Sequence, residues 1–316
     1  MKKNYFITTF VTFVAMLTLA CSLCSCEDQQ FIEQASTVSN SQLISDLHEV
    51  NENILANQVI TRGMSTGDKV KIVAADVRGA MRGGQKGWSL GRKIGTAVGH
   101  PVAGMAIGTI CGAVGYGGIK SWIAYSKVEK AGNYEKAELA QVVRVCKTNI
   151  PDTIKTLDVS FKTTTDSIVN KKINVNDSIL STVNLSRSEL IVGKMHNVAL
   201  SYLDGSVKFE GSDSINTQNP MVCKIMDSDE MKELLESALN ENDDDEDDAL
   251  TSYVINLFEE VLAKYAQNCN DIAFIINQYM EVINASEELT DEQKSCIRNS
   301  LATALYSFNY WEKTLE

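Results

Sequence analysis

Glycine recurs at every fourth position along one stretch of the chain, and this regularity restricts the fold more than any other feature. The series comprises Gly79, Gly83, Gly87, Gly91, Gly95 and Gly99 and resumes at Gly104, Gly108 and Gly112. A spacing of four places these residues along one stripe of a helix, where the missing side chains allow another backbone to approach closely. His100-Pro101 interrupts the series, and Pro is favoured in the first turn of a new helix. The pattern predicts two antiparallel helices, at residues 72–99 and 101–126.

The two arms of this hairpin differ in charge. The first carries Arg78, Arg82, Lys86, Arg92 and Lys93, whereas residues 94–119 contain no charged side chain and only His100 as an ionisable group. The uncharged stretch is long enough to cross a bilayer, although Pro101 and eight glycines reduce its suitability. Two alternatives stay open: a soluble hairpin packed on neighbouring helices, or direct lipid contact of residues 94–119. The pattern resembles the glycine zippers of small bacterial envelope proteins and membrane-active bacteriocins, a resemblance that implies no catalytic group.

The first 25 residues have the layout of a secretory signal peptide. Lys2 and Lys3 precede an apolar stretch at residues 5–20, and three cysteines follow. The alternative is a retained anchor helix. Leu23-Cys24-Ser25-Cys26 resembles the lipobox of bacterial lipoproteins, which implies acylation of Cys26, palmitate included, and anchoring to the outer membrane. The resemblance leaves the periplasmic and cell-surface faces open. Glu27-Asp28 resembles the short surface-export signal of Bacteroidota lipoproteins.

Charge and cysteine usage narrow the range of partners. The chain has a formal net charge of -12, but residues 62–127 hold ten Lys/Arg against two Asp/Glu, and residues 135–316 hold 16 against 32. An exported, acidic protein is not expected to bind nucleic acid. The basic segment is expected to meet either anionic lipid head groups or the acidic half of its own chain. Five cysteines follow Cys26 without a CxxC pair, so no metal site is expected and at least one thiol is left free within one chain.

The remainder of the chain divides by composition and periodicity. We predict a mainly α fold in which the glycine-zipper hairpin and a C-terminal antiparallel helical bundle flank a less regular middle region. Apolar periodicity predicts an amphipathic helix near residues 41–56 and three C-terminal helices, the last with a capping box that begins at Thr290. The predicted segments are a signal peptide (1–25), a lipidated tether (26–40), an amphipathic helix (41–61), the hairpin (62–131), a Ser/Thr/Asn-rich middle region (132–239), an acidic linker (240–248) and a three-helix unit (249–316).

The middle region contains one clear helix at residues 187–203. It begins at the capping box Ser186 to Glu189 and ends at Asp204-Gly205. Within it, Gly193-Lys194-Met195-His196-Asn197 opens a string that, with the ending Tyr306 to Trp311, resembles uncharacterised lipoproteins of the Bacteroidota and implies no known activity. His196 could act as a metal ligand or general base, or it could be a packing or hydrogen-bonding residue. We predict the second.

Four triplets in the middle region combine Asp, a hydroxyl residue and Ile. They look like the acceptors of the general O-glycosylation system of the Bacteroidota, which makes Thr153, Ser167, Ser178 and Ser214 candidate glycan sites. Helix N-capping explains the same triplets, because Asp or Ser often precedes the first aliphatic residue of a helix. We predict glycosylation at some of them.

The chain lacks the short motifs of common enzymes. It has no Gly-x-Ser-x-Gly, phosphate loop, His-Glu-x-x-His or dinucleotide fingerprint, and its three histidines are far apart in sequence. We therefore predict a non-catalytic cell-envelope lipoprotein without cofactor or metal, with a structural role or an envelope protein as partner. The alternatives are a membrane-active, toxin-like lipoprotein that uses the hairpin and, third, an enzyme of unknown class.

Overall fold

The described part of the chain is helical and contains no strand. The computed structural model describes residues 41–56, 66–128, 136–150, 166–208, 219–240 and 248–315. Its helices, in chain order, are α1 (Gln42–Ala56), α2 (Thr66–Ala97), α3 (Pro101–Val128), α4 (Lys136–Asn149), α5 (Ser167–Ile173), α6 (Asp177–Leu180), α7 (Arg187–Leu203), α8 (Pro220–Met226), α9 (Asp229–Ser237), α10 (Ala249–Tyr265), α11 (Cys269–Ala285) and α12 (Asp291–Glu312). The predicted mainly α class is therefore confirmed.

Helices α2 and α3 run antiparallel and lie close together. The backbone of Gly83 faces Gly112, Gly87 faces Gly108 and Gly91 faces Gly104, so the residue numbers rise along one helix as they fall along the other. Between the helices the chain turns with Gly99 at a φ of 80°. The amide of His100 donates to the carbonyl of Gly95 at 2.8 Å, which closes the turn before Pro101 begins α3.

Local sequence signals set several helix boundaries. α7 begins at the capping box of Ser186 and Glu189 and ends at the Asp204 cap, where Gly205 has a φ of 74°. The capping box of Thr290 and Gln293 opens α12. The middle region is more helical than we predicted, because α4, α5, α6, α8 and α9 also lie within it. Helices this short depend on packing against the rest of the protein rather than on their own propensity.

The C-terminal helices do not pack mainly against one another. α12 lies along α2 and α7, whereas α10 and α11 also pack on α1. The side chains of α12 are buried on all sides from Leu301 to Trp311. This is possible because its polar residues bond locally: the hydroxyls of Ser300 and Thr303 each donate to a carbonyl one turn earlier at 2.9 Å. The buried apolar side chains therefore form one cluster, from Leu43 in α1 to Trp311 in α12.

The apolar arm of the hairpin is enclosed by other helices. α3 contacts α2, α4, α7, α8, α9 and α12. Within the described residues it is the one helix long and apolar enough to cross a membrane by length and composition, and 78% of its most apolar window is buried. A helix hydrophobic on all sides is also what the centre of a helical protein requires.

The basic arm meets acidic side chains of the same chain. Arg78 makes a two-point ion pair with Glu259 of α10, with Nε to Oε1 at 2.8 Å. Lys93 pairs with Glu230 of α9. Of the two partners that we expected for the basic segment, the structure supplies the acidic half of the chain at these positions.

Candidate functional site

The glycines of the hairpin lie where a side chain has no room. A Cβ built on Gly108 would lie 2.8 Å from the Cα of Gly91 and closer still to the carbonyl oxygen of Gly87. The same collision with opposing backbone occurs at Gly83, Gly87, Gly91, Gly104 and Gly112. Gly95 and Gly79 are also tight, since their Cβ atoms would lie 2.7 Å from the His100 oxygen and 3.0 Å from the Cα of Gly117, respectively.

Gly99 does not belong to this contact. Nothing lies within 4 Å of a Cβ built there, and its positive φ is a conformation that side-chain-bearing residues rarely adopt. The prediction that Gly99 is a helix-packing residue is therefore wrong. It falls on the spacing of four, but the helix ends before it and its role is to make the turn.

A buried polar cluster joins four helices at the other end of the hairpin. Asp76 of α2 is fully buried, and its Oδ2 accepts hydrogen bonds from Ser307 Oγ and, at 3.3 Å, from Trp311 Nε1. Trp311 Nε1 also lies 3.2 Å from Ser121 Oγ of α3. His196 of α7, equally buried, places Nε2 3.7 Å from the same Asp76 oxygen, too far for a hydrogen bond.

Desolvation makes both ionisable members of the cluster neutral near pH 7. Burial raises the pKa of Asp76 from 3.8 to about 8, against the opposing effect of its hydrogen bonds from Ser121, Ser307 and Trp311. Burial likewise lowers the pKa of His196 from 6.5 to about 4. Neither pKa depends on an ion pair, since a carboxylic acid faces a neutral imidazole. Although Asp, His and Ser stand together, no solvent reaches them, and the arrangement acts as a helix junction.

The string that contains His196 supplies a second close contact, which sequence reasoning did not predict. A Cβ at Gly193 would lie 2.5 Å from the carbonyl oxygen of Ala302 and 2.5 Å from a ring carbon of Tyr306, so α7 and α12 touch there. Asn197 Nδ2 donates to the carbonyl of Tyr306 at 2.8 Å. The signal was present in the sequence, because a glycine one helical turn before a buried polar pair marks a close helix approach.

An open cleft of about 490 Å³ lies between α2 and α9. Its walls carry two lysines, two glutamates, two leucines and two serines: Lys86, Ser89, Leu90, Lys93, Glu230, Glu233, Leu234 and Ser237. The two signs of charge balance, and Lys93 is already paired with Glu230 across the opening. The cleft therefore has no field that selects an anion or a cation.

The thiols have no reactive environment in the described residues. Cys111, Cys146, Cys269 and Cys296 are buried, Cys223 is half-buried, and all five are unbridged. Burial raises the pKa of Cys146, Cys269 and Cys296 to about 12, so these thiols stay protonated at neutral pH. Within the same residues, no three His, Cys, Asp or Glu side chains are grouped so that they could hold a metal ion.

Two of the four candidate glycan acceptors can be located. Ser167 and Ser178 are exposed, and Ile168 beside the first is 65% exposed. Both sites also begin helices, since Asp166 caps α5 and Asn176 caps α6. Capping and acceptance of a glycan are thus compatible at Ser167, whose hydroxyl is not the capping group. Thr153, Ser214 and the lipidation candidate Cys26 lie outside the described residues.

Comparisons with known proteins bring no family to this chain. No family model matches it, no curated protein matches it, and no solved structure matches it. The function is therefore inferred from the residues of this chain alone.

Proposed function

We propose that the protein is a non-catalytic lipoprotein of the cell envelope, anchored through Cys26, whose helical body has a structural or partner-binding role. One observation carries this proposal: the most unusual sequence patterns of the chain lie at buried positions in the fold. The glycine series, the string around His196 and the C-terminal aromatic ending all meet at buried contacts between helices. The chain uses its least common features to fix helix positions, as a rigid scaffold requires.

The side chains that could act as catalytic acid, base or nucleophile support the same proposal, because they are buried. Asp76, His196 and Ser307 have no exposed surface, and their pKa values follow from burial rather than from a substrate-facing arrangement. An active site needs perturbed groups in a cleft that a substrate can enter. The open cleft between α2 and α9 instead carries balanced, partly paired charges.

A membrane-active role is the second candidate, because α3 has the length and composition of a membrane span. Insertion of α3 would require it to leave the helices that now bury it. If α3 moved alone, it would also leave the glycine contact, which holds α2 and α3 together backbone to backbone. We therefore place this role second. Liposome leakage separates the two, since a scaffold leaves vesicles intact and an inserting hairpin releases their contents.

Envelope fractionation tests the anchor. Cys26→Ala should move the protein from the detergent phase to the aqueous phase, because the acylated sulfur is lost. The matched variants Cys24→Ala and Cys21→Ala should leave it in the detergent phase. An unchanged partition of the Cys26 variant would remove the lipoprotein assignment.

Photo-crosslinking in intact envelopes tests the partner. A crosslinker placed at exposed positions of α10 or α11 should trap a defined envelope component if the body is a binding scaffold. Absence of any adduct from both helices would favour a purely structural role.

A further inference from the structure

The turn between α2 and α3 presents an uncharged apolar surface to solvent. We call residues 96–103 the tip; its sequence is TAVGHPVA. All of its residues are exposed except Val98, which is half-buried. Val102 is 73% exposed, the largest exposed fraction among the large apolar side chains described. The Val102 side chain therefore gains little burial within the fold.

The tip projects beyond the start of α12. α12 runs antiparallel to α2, because Trp311 contacts Asp76 near the start of α2 and Cys296 Sγ lies 3.6 Å from a Cβ built on Gly84. α12 therefore begins at about the level of residue 89. At 1.5 Å per residue, α2 continues about 10 Å further before the turn.

The first described residue, Ser41, lies at this same end. The amide of Leu43, at the start of α1, donates to Glu288 Oε1 at 2.9 Å. Glu288 lies in the loop before α12, and Glu292 in the first turn of α12 interacts with Arg92, close to the tip. Ser41 therefore lies on the tip side of the molecule.

The distance to the proposed anchor favours one orientation. Fourteen residues, 27–40, lie between Cys26 and Ser41, and the fifteen steps from Cα to Cα can span at most roughly 50 Å. α2 alone, with 32 residues, is about 48 Å long. Presenting the opposite end to the membrane would require the tether to run back along almost the whole body, whereas the tip end is reached at any extension.

From this geometry we propose that the tip docks into the surface of the bilayer that holds the lipid anchor, with Val102 entering the interface and α3 staying in the protein core. The proposal rests on the proposed anchoring through Cys26. Tethering gives the tip a high effective concentration at the membrane, so a small apolar contact is enough to orient the body. Lipid attachment combined with an apolar contact also holds better than either alone.

The surroundings of the tip indicate which lipid surface it fits. Glu287, Glu288 and Asp291 are exposed in the loop and first turn on this side, and Glu292 is half-buried beside Arg92. They outnumber the exposed basic side chains nearest the tip, Arg92 and Lys93, and Lys93 is already paired with Glu230, so anionic head groups would on balance be repelled. The fitting partner is therefore a zwitterionic phospholipid surface.

Site-specific fluorescence tests the docking in the full-length, lipidated protein in phosphatidylcholine vesicles. An environment-sensitive dye is attached at Val102→Cys, and a control protein carries it at Ser206→Cys, at the opposite end of the molecule. Both proteins also carry Cys223→Ser, because the other described thiols are buried and do not react with the dye. We expect a blue shift and severalfold brighter emission at position 102, quenched by spin-labelled lipid, with no change at position 206. Replacing part of the phosphatidylcholine with anionic phosphatidylglycerol should weaken the signal.

A charge substitution supplies the second measurement. With the dye at Ala97→Cys, Val102→Asp should abolish the brightening, whereas Ile168→Asp, at an exposed isoleucine on the far side, should leave it unchanged. Vesicle sedimentation reports the anchor separately. If the wild-type protein does not sediment with the vesicles, the anchor and the docking are both overturned. If it sediments but the dye at position 102 shows no change in fluorescence, the docking alone is overturned. A signal seen in intact envelopes but not in vesicles would mean a protein partner and would also overturn it.

Discussion

Alanine at Gly108 tests whether the hairpin depends on backbone contact. The added Cβ would lie 2.8 Å from the Cα of Gly91 and closer to the carbonyl of Gly87. Both are backbone atoms, which cannot rotate away as a side chain can. Overpacking a tight core costs about 1–3 kcal/mol, and a contact of this kind belongs at the upper end. Because alanine returns up to about 1 kcal/mol of helix propensity, we expect a net loss of about 2 kcal/mol in the free energy of unfolding.

The same helix offers a matched control. A Cβ at Gly118 would meet only the Cβ of Ala199, at 3.6 Å, which is an ordinary packing distance. Gly118→Ala should therefore keep the propensity gain of about 0.5–1 kcal/mol without a clash. The two alanine variants of α3 should differ by about 3 kcal/mol. Leucine at Gly108 should lower stability further than alanine, since it adds three more heavy atoms to the contact.

Thermal and urea unfolding of the mature protein measure this difference. For a domain of 150–250 residues, 1 kcal/mol shifts the Tm by roughly 2–4 °C, so Gly108→Ala should lower it by roughly 4–8 °C. Gly118→Ala should leave it unchanged or raise it. Equal effects at both positions would show that the spacing of four has no packing function and that the close approach of α2 and α3 is not required for the fold.

The buried junction should make stability depend on pH. As the pH rises from 4 to 6.5, the raised pKa of Asp76 lowers the free energy of unfolding while the lowered pKa of His196 raises it, so the two effects oppose each other. Between pH 6.5 and about 8 only Asp76 contributes. The free energy of unfolding should therefore fall there by up to about 1.4 kcal/mol for each unit of rising pH. Asp76→Asn should abolish this decline in urea titrations at several pH values, and a decline unchanged in the variant would contradict the assignment. Gly193→Ala should overpack the contact between α7 and α12, lower the free energy of unfolding by about 1–3 kcal/mol and so lower the Tm. An unaltered Tm would mean that α7 and α12 separate easily. Intact mass spectrometry of protein from its native host should find glycan on Ser167 or Ser178, and two bare sites would refute that part of the prediction.

Much of the helical content could be read from local patterns. The capping boxes at Ser186 and Thr290 fix the first residues of α7 and α12, because the bonds that satisfy a helix start are made within four residues. The glycine spacing likewise predicts which face of α2 meets α3. These signals are short-range, so one sequence contains them completely.

The buried junction could not be read in this way. The hydroxyl of Ser307 bonds to Asp76 across 231 positions of the chain, and the periodicity of neither helix reveals the other. The spacing of four also assigned Gly99 to the packing stripe, although the helix ends before it.

The sequence by itself determined that this protein is helical, where its main helices start, and that two of them can touch through glycine. Tertiary structure alone decided that α12 packs along α2 and α7, that Asp76 and His196 lose their solvent and become neutral, and that the tip and the start of α1 share one end. The physical reason is that these outcomes depend on how apolar faces of distant helices are buried together, and burial is a property of the assembled protein rather than of any segment.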